Sequence, residues 1–444
     1  MIIFIFHRNN DRLLLFYPKI RDTIEKMTEE YLLQIFIDEL RDTFTRIELV
    51  PRTAKFPKVA NKIKVAMGMR RTGKTYFVYQ TILQQLNRGV PLTRILYLNF
   101  EDDRLLPIDA KKFANLLEAF YTLYPENHDH KCYLYLDEIQ NVPDWARVIR
   151  RFYDTKNVEI FLTGSSAKLL SKEIATSLRG RSLATEVWPY SFDEYIVAKE
   201  IRIDQASIGK KKQDQLKIAL QHYLQEGGFP EVVHYSREIR QRVLQEYIDL
   251  VVYRDIIERY NIKNASLIKY MILSMIHNVS KPFTINKFYN DLKSQGYKLN
   301  KDALYEYSNY IEDAYLLFSV PLFSKSIRKV QTNPKKIYAI DIGLIRALTL
   351  EHETNFGNLF ENLIYLDLRR KDYLVYYYLT EQRYEVDFLI QDRQGNKQLL
   401  QVSWEVKDSK TMERESRALE IAKKELGLPG KIITLESYLR EGIL

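Results

Sequence analysis

The sequence predicts an α/β fold: a parallel sheet in the first half, a helical segment after it, and two smaller domains behind that. Three observations predict it. An apolar strand run, Lys62-Ile63-Lys64-Val65-Ala66-Met67, leads into Gly68-Met69-Arg70-Arg71-Thr72-Gly73-Lys74-Thr75 and then into a helical pattern. A second apolar run, Cys132 to Leu136, has the length of a buried strand and ends in Asp137-Glu138. The residues beyond 350 follow the order helix, three strands, helix, strand.

Gly68 to Thr75 fits G-x-x-x-x-G-K-[ST], the phosphate-binding P-loop. The context agrees: a strand before it, and a helix from Thr75 to Leu86 with Phe77, Val78, Ile82 and Leu86 on its core side. Gly68 and Gly73 let the backbone curl so that its N–H groups point at phosphate oxygens. The nucleotide-binding residues are therefore Gly68, Arg70, Arg71, Thr72, Gly73, Lys74 and Thr75. Lys74 supplies a point charge to the β and γ phosphates, and Thr75 offers its hydroxyl to Mg²⁺.

An acid at the C-terminal end of a core strand stands where ligands bind in open α/β sheets. Asp137 is the second candidate for holding Mg²⁺, and Glu138 the general base that polarises the attacking water. An Asp-Glu ending argues against a small-molecule kinase, which excludes water. No Asn-Lys-x-Asp segment is present, so ATP is favoured over GTP. Val158 to Thr163 is a third strand, and Gly164-Ser165-Ser166 the turn after it. Ser165, with Thr163 as the alternative, reads as a hydroxyl for the γ-phosphate or water, or else as a cap for the helix that follows. Arg179 and Arg181 precede the strand Leu183 to Val187; Arg181 reads as an arginine finger or as a surface ion pair. Asn99 to Asp103, after the strand Arg94 to Leu98, falls at the same edge without an assigned role.

A chain of 444 residues predicts several domains, and 15 Gly and 13 Pro leave little room for long linkers. The one cysteine, Cys132, falls inside a predicted core strand, which excludes an internal disulfide and fits the cytoplasm. His128, His130 and Cys132 lack a nearby fourth ligand and read as loop histidines beside a buried thiol. No apolar run reaches membrane-spanning length. Met1 to Phe6 is apolar, but its charges follow it and no small-residue cleavage site does, so it makes a poor signal peptide. Met27 opens a more ordinary start, which makes residues 1–26 a candidate upstream extension. Residues 1–50 then hold this extension and an amphipathic helix from Tyr31 to Arg46.

Residues 51–205 form the P-loop core, closed by Trp188-Pro189-Tyr190-Ser191. Ser191 and Glu194 make a capping box for a helix from Phe192 to Lys199. Residues 206–261 read as a helical lid, two long helices (213–226 and 237–260) broken at Gly227-Gly228-Phe229-Pro230. Residues 262–350 read as three helices and two strands, Leu317 to Ser324 and Lys336 to Ile342, around the basic connector Lys325-Ser326-Ile327-Arg328-Lys329. That is the order of a winged helix, used for DNA or for protein docking. Tyr305, Tyr307, Tyr310 and Tyr315 read as packing rather than base contacts. The formal net charge is +9, and residues 261–350 hold 13 Lys and Arg against 6 Asp and Glu. So local a surplus suggests a polyanion such as DNA.

Residues 351–444 carry Glu361 on a helix and Asp387 in the second strand, in the element order of a restriction-endonuclease-like core. Such a core needs (Asp/Glu)-x-Lys on the next strand to hold Mg²⁺ and steady the nucleophile. Here those positions read Gln401-Val402-Ser403. Gln401 still offers a carbonyl oxygen to a metal, but Ser403 brings no ammonium. The site is therefore expected to be degenerate, with Lys397 and Lys407 the nearest lysines in sequence.

Over about residues 30–440 the chain resembles a widespread group of prokaryotic AAA-superfamily ATPases with a C-terminal domain of unknown function. The shared motifs are Gly68–Thr75, Leu136-Asp137-Glu138, Thr163-Gly164-Ser165-Ser166, Gly180-Arg181, Pro189 to Tyr195, Gly227 to Pro230 and Glu385-Val386-Asp387-Phe388. The resemblance implies a P-loop ATPase core, a winged helix and a nuclease-like tail. The reading is an ATP-hydrolysing, nucleic-acid-associated switch or motor. An ATP-gated regulatory module with slow turnover and an ATP-dependent nuclease are the alternatives. The tail is expected to serve docking to a protein partner or self-association.

Overall fold

The computed structural model describes residues 18–164, 178, 180–203, 210–349, 355–404 and 409–443, with side chains from 29 onward and, in the helix that begins at 409, from 413. Strands β1 (Ile63–Met67), β2 (Ile95–Asn99), β3 (Cys132–Asp137), β4 (Val158–Gly164) and β5 (Ser182–Glu186) form a five-stranded sheet in the order β2-β3-β4-β1-β5. Every pairing in it is parallel. Parallel strands need both faces covered, which is why they read as unbroken apolar runs. Residues alternate between the two faces. Val65, Leu98, Leu134 and Leu162 pack under the helices Ala110–Leu123 and Trp145–Thr155. Ile95, Tyr135 and Phe161 pack against Val78 and Ile82 of the helix Lys74–Leu86. Leu33 of the N-terminal helix Pro18–Arg46 joins the first of these layers.

The segment read from the sequence as a lid comprises the helices Lys210–Glu226 and Arg237–Leu250. The second does not continue to residue 260 as a regular helix: Val251–Glu258 is wound as a π-helix. The Gly227-Gly228 break is a point of close crossing. A Cβ on Gly227 would lie 2.3 Å from Asp341 Oδ1, and one on Gly228 would lie 2.3 Å from the Tyr190 carbonyl oxygen.

The next unit has the helices Ala265–His277, Ile285–Ser294 and Lys301–Asp313, with β6 (Pro282–Phe283), β7 (Leu317–Val320) and β8 (Lys335–Ala339) as a three-stranded sheet ordered β6-β8-β7. Both predicted strands are shorter than expected. β7 stops because Pro321 has no N–H to give the ladder; the chain turns to the C-terminal sheet, where the Phe323 N–H donates to the Tyr377 carbonyl at 2.8 Å. β8 stops because Asp341 caps the helix Ile342–Leu348, accepting from the N–H groups of Gly343 and Leu344. The connector carries a short helix, Ile327–Thr332, that the sequence pattern does not announce.

The last unit is a separate mixed sheet, β12-β11-β10-β9, from β9 (Leu374–Leu379), β10 (Glu385–Gln391), β11 (Lys397–Ser403) and β12 (Gly430–Thr434). The helix Phe356–Arg370 precedes it, and the helix Ser409–Leu426 connects β11 to its parallel neighbour β12. Arg369 and Arg370 tie this unit to the first sheet. Arg369 Nη2 lies 3.0 Å from Glu186, and Arg370 Nη2 lies 3.1 Å from the Pro189 carbonyl. No described helix is long and apolar enough to cross a membrane.

Candidate nucleotide site and C-terminal acidic site

The P-loop leaves β1 at Gly68, where a Cβ would meet the Val187 carbonyl oxygen at 2.2 Å, so only glycine fits. Gly73, with φ 89°, starts the following helix from the left-handed region that glycine tolerates. Lys74 is buried, its Nζ donating to the carbonyls of Gly68 at 3.3 Å and Met69 at 3.2 Å. Thr72 closes the loop by donating to the Met69 carbonyl at 3.0 Å.

β3 delivers Asp137 to the same edge. Its Oδ2 accepts from Thr75 Oγ1 at 2.8 Å and from the Tyr97 hydroxyl at 3.0 Å, and its Oδ1 accepts from the Thr163 hydroxyl. Burial pushes the Asp137 carboxyl above its ordinary range, against the pull of the Thr163 hydroxyl. Thr163 also accepts from the Glu138 N–H at 2.9 Å, so one hydroxyl aligns both acids. Glu138 takes a left-handed backbone, φ 55°, and its carboxylate stands 3.8 Å from the Lys74 ammonium. A Gln140 amide holds its other oxygen. Thr75 and Asp137 thus converge as hard oxygen ligands suited to Mg²⁺.

Arg70 and Arg71 lie in the loop, but their side chains turn onto the lid. Arg70 Nε bonds both oxygens of Asp255, at 3.1 and 3.0 Å, and its Nη1 lies 3.4 Å from Glu101. That contact gives the Asn99–Asp103 segment a role that its sequence does not indicate. Arg71 Nη1 bonds Glu231 at 3.1 Å beside the Tyr247 ring. Burial raises the Asp255 carboxyl, with Arg70 opposing.

Arg181 is not at this edge. It stands at the N-terminal end of β5 and pairs with Asp154 at 2.5 Å, so within its own chain it does not reach the P-loop. Ser165 and Arg179 lie outside the described residues. His128 lies against the Tyr121 ring, while Cys132 faces the carbonyls of Asn127 and His130, and burial pushes its thiol up to about 11.

Sequence reasoning missed Arg52. Its Nη1 donates to the Thr72 carbonyl of the P-loop at 3.0 Å, its Nη2 to the Trp188 carbonyl, and its Nε to Glu194 at 3.2 Å. It is a positioning residue, and nothing local in the sequence marks it.

The C-terminal unit brings Glu361, Asp387, Gln401 and Ser403 together at the wall of a cavity of about 760 Å³. Two features depart from expectation. The Gln401 amide N–H₂ faces Asp387 Oδ2 at 2.8 Å and also meets Glu415, while its carbonyl accepts from the Asp387 N–H at 3.3 Å. It therefore gives donors to the site instead of an oxygen. And the missing ammonium is present: it comes not from Lys397 but from Lys336 of β8, while Lys407 lies outside the described residues. Lys336 is 1% exposed, with Nζ at 2.7 Å from Glu361, 2.9 Å from Glu385 and 3.1 Å from Asp387. Burial favours the neutral amine, but these carboxylates outweigh it and hold Lys336 charged. The arrangement does not fit a divalent cation: an ammonium stands among the carboxylates, and Asp387 Oδ2 is taken by Gln401 and by the Val402 N–H at 3.0 Å. The sequence signal was period two: Lys336 shares a strand face with buried Tyr338, whose hydroxyl also bonds Glu361 at 2.6 Å.

Residues 60–196 match the family described as AAA domain, 217–355 a domain of unknown function (DUF8612), and 356–441 another (DUF4143). The uncharacterized protein MJ1544 of Methanocaldococcus jannaschii is 36% identical over 413 residues, covering 92% of this chain and 89% of the relative. An uncharacterized protein of Haemophilus influenzae is 30% identical over 330 residues, 74% of this chain and 79% of that one. Among solved structures, the Walker-type ATPase PABY2304 of Pyrococcus abyssi aligns at 13% identity and a TM-score of 0.42, over 65% of this chain and 91% of that one. The chain belongs, with its archaeal and bacterial relatives, to a family of P-loop AAA-type ATPases that carry additional C-terminal domains of unknown function.

Proposed function

We propose that the protein binds and hydrolyses ATP with Mg²⁺ in the cytoplasm and works as a nucleotide-controlled switch on nucleic acid. The observation that carries the reading is the convergence of Lys74, Thr75, Asp137 and Glu138 at one sheet edge, with Arg70 and Arg71 of the same loop held by the lid. Lys74 binds phosphate, Thr75 and Asp137 hold Mg²⁺, and Glu138 takes the proton of the attacking water. Mg²⁺, when bound, neutralises charge on the phosphates. Phosphate entering the loop competes for Lys74, freeing Glu138 from its ion pair. The loop arginines give the lid a direct link to that change.

The nucleic-acid partner is read from the connector of residues 262–350, a unit in winged-helix order. Lys325, Arg328 and Lys329 are exposed there and have no acidic partner among the described residues. Surface cations without acidic partners, two on one short helix and one just before it, suit a phosphate backbone. The deciding experiment is the ATPase rate of the full chain with and without duplex DNA. A rate raised by DNA supports the switch. Turnover indifferent to DNA, with tight nucleotide retention, supports instead a regulatory module, which the Arg70–Asp255 link also suits.

A further inference from the structure

The acidic site of the C-terminal unit has the geometry of a filled cation site. Three carboxyl groups from two elements, Glu361 on a helix and Glu385 and Asp387 on β10, meet Lys336 Nζ within 2.7 to 3.1 Å. Lys336 arrives from a different unit, through β8, where it is paired between Pro282 and Val320. Gln401 supplies N–H groups to Asp387 and Glu415 where a metal core would present an oxygen. The cavity beyond is bordered by Arg383, Tyr384, Trp404 and Arg414. A lone ammonium at this depth would be costly, and so would carboxylates clustered without a cation; pairing them offsets part of each cost.

We propose that the Lys336 ammonium takes the place of a divalent cation in this nuclease-like core, converting it into a metal-free clasp between β8 and the C-terminal sheet. Three donors at hydrogen-bond distance let one ammonium satisfy one oxygen of each carboxylate. A catalytic lysine in a working core would stand beside the metal; this one stands at the centre of the carboxylates that would bind it. The clasp joins the sheet that carries the basic connector to the last unit without any ligand.

The test is Mn²⁺ binding to the nucleotide-free full chain, followed by electron paramagnetic resonance and by thermal unfolding. Wild type and Asp387→Asn should bind Mn²⁺ equally, because Asp387 is already occupied. Lys336→Met should gain an Mn²⁺ site, and Mn²⁺ should raise its Tm without moving that of wild type. Adding Asp387→Asn to Lys336→Met should remove the gain. Loss of Mn²⁺ binding in the single Asp387→Asn variant would overturn the proposal, and that comparison stands even where Lys336→Met fails to fold. A folded Lys336→Met chain that gains no Mn²⁺ would overturn it equally.

Discussion

Arg70 of the P-loop grips Asp255 of the lid, its Nε bonding both carboxylate oxygens at 3.1 and 3.0 Å. Asp255 lies in the π-helical turn Val251–Glu258, a local widening of the kind often found at functional sites. The P-loop and the π-helical turn are thus joined by a charged contact. Arg70→Ala and Asp255→Ala should each destabilise the ATPase–lid transition in urea. The double variant should show a coupling of about 0.5–3 kcal/mol. Bound ATP analogue should change that coupling. A coupling that is the same with and without nucleotide would remove the lid from the switch.

Lys74 and Glu138 stand 3.8 Å apart but have separable jobs. Lys74→Ala should lose ATP binding, since the phosphates lose a buried charge. Glu138→Gln should keep binding and lose about 10²–10⁴-fold in turnover, since only the water loses its base. Equilibrium binding and single-turnover hydrolysis measured on both variants check this. Equal hydrolysis by wild type and Glu138→Gln would contradict the assignment.

Arg52 and Glu194 give a pH dependence with a definite sign. Burial alone would raise the Glu194 carboxyl, but Arg52 and the N–H groups of Thr53 and Ser191 outweigh it and hold it below its ordinary 4.5. The unfolded chain therefore takes up this proton first. The stabilisation is present above that ordinary value and is lost as pH falls through the folded one. Glu194→Gln should cost about 3–5 kcal/mol near neutrality. The gap to wild type should close in acid. Urea unfolding across the acid range measures it, and a gap that does not vary with pH would speak against the pair.

Asp341 is buried and accepts from three backbone N–H groups, Gly228 on one oxygen and Gly343 and Leu344 on the other. Burial lifts its carboxyl to about 6. Asn in its place would turn an N–H₂ against one of these donors. Asp341→Asn should destabilise by about 1–3 kcal/mol, the cost of a buried group left unpaired. Calorimetry should show this as a lower Tm; an unchanged Tm would mean that the crossing with Gly228 is not held by this carboxylate.

Binding of DNA by the basic connector should weaken steeply with salt, with a log–log slope near −0.9 per phosphate contacted. Neutralising Lys325, Arg328 and Lys329 together should weaken binding to all sequences and flatten the slope. Fluorescence anisotropy over a salt series reads both. Binding independent of salt would point to protein docking.

The P-loop edge was legible because its information is local. Strand, glycine turn, Lys74-Thr75 and helix lie within one short stretch, and the strand bearing Asp137 and Glu138 is a continuous apolar run. The helix Phe356–Arg370 was legible to the residue from its own periodicity. What no local pattern contains is which distant residues meet. Arg52 reaches Thr72, Trp188 and Glu194, and Arg181 falls at the wrong end of β5 for its own nucleotide. Lys336 reaches Asp387 across 51 residues of chain. Strand polarity and sheet order decide these, and both are settled by packing between elements. Ser403 showed that an ammonium was absent from its own position on β11. Only the tertiary fold, by seating β8 against the C-terminal sheet, brought one back from elsewhere, because buried carboxylates need a cation and do not specify where in the chain it comes from.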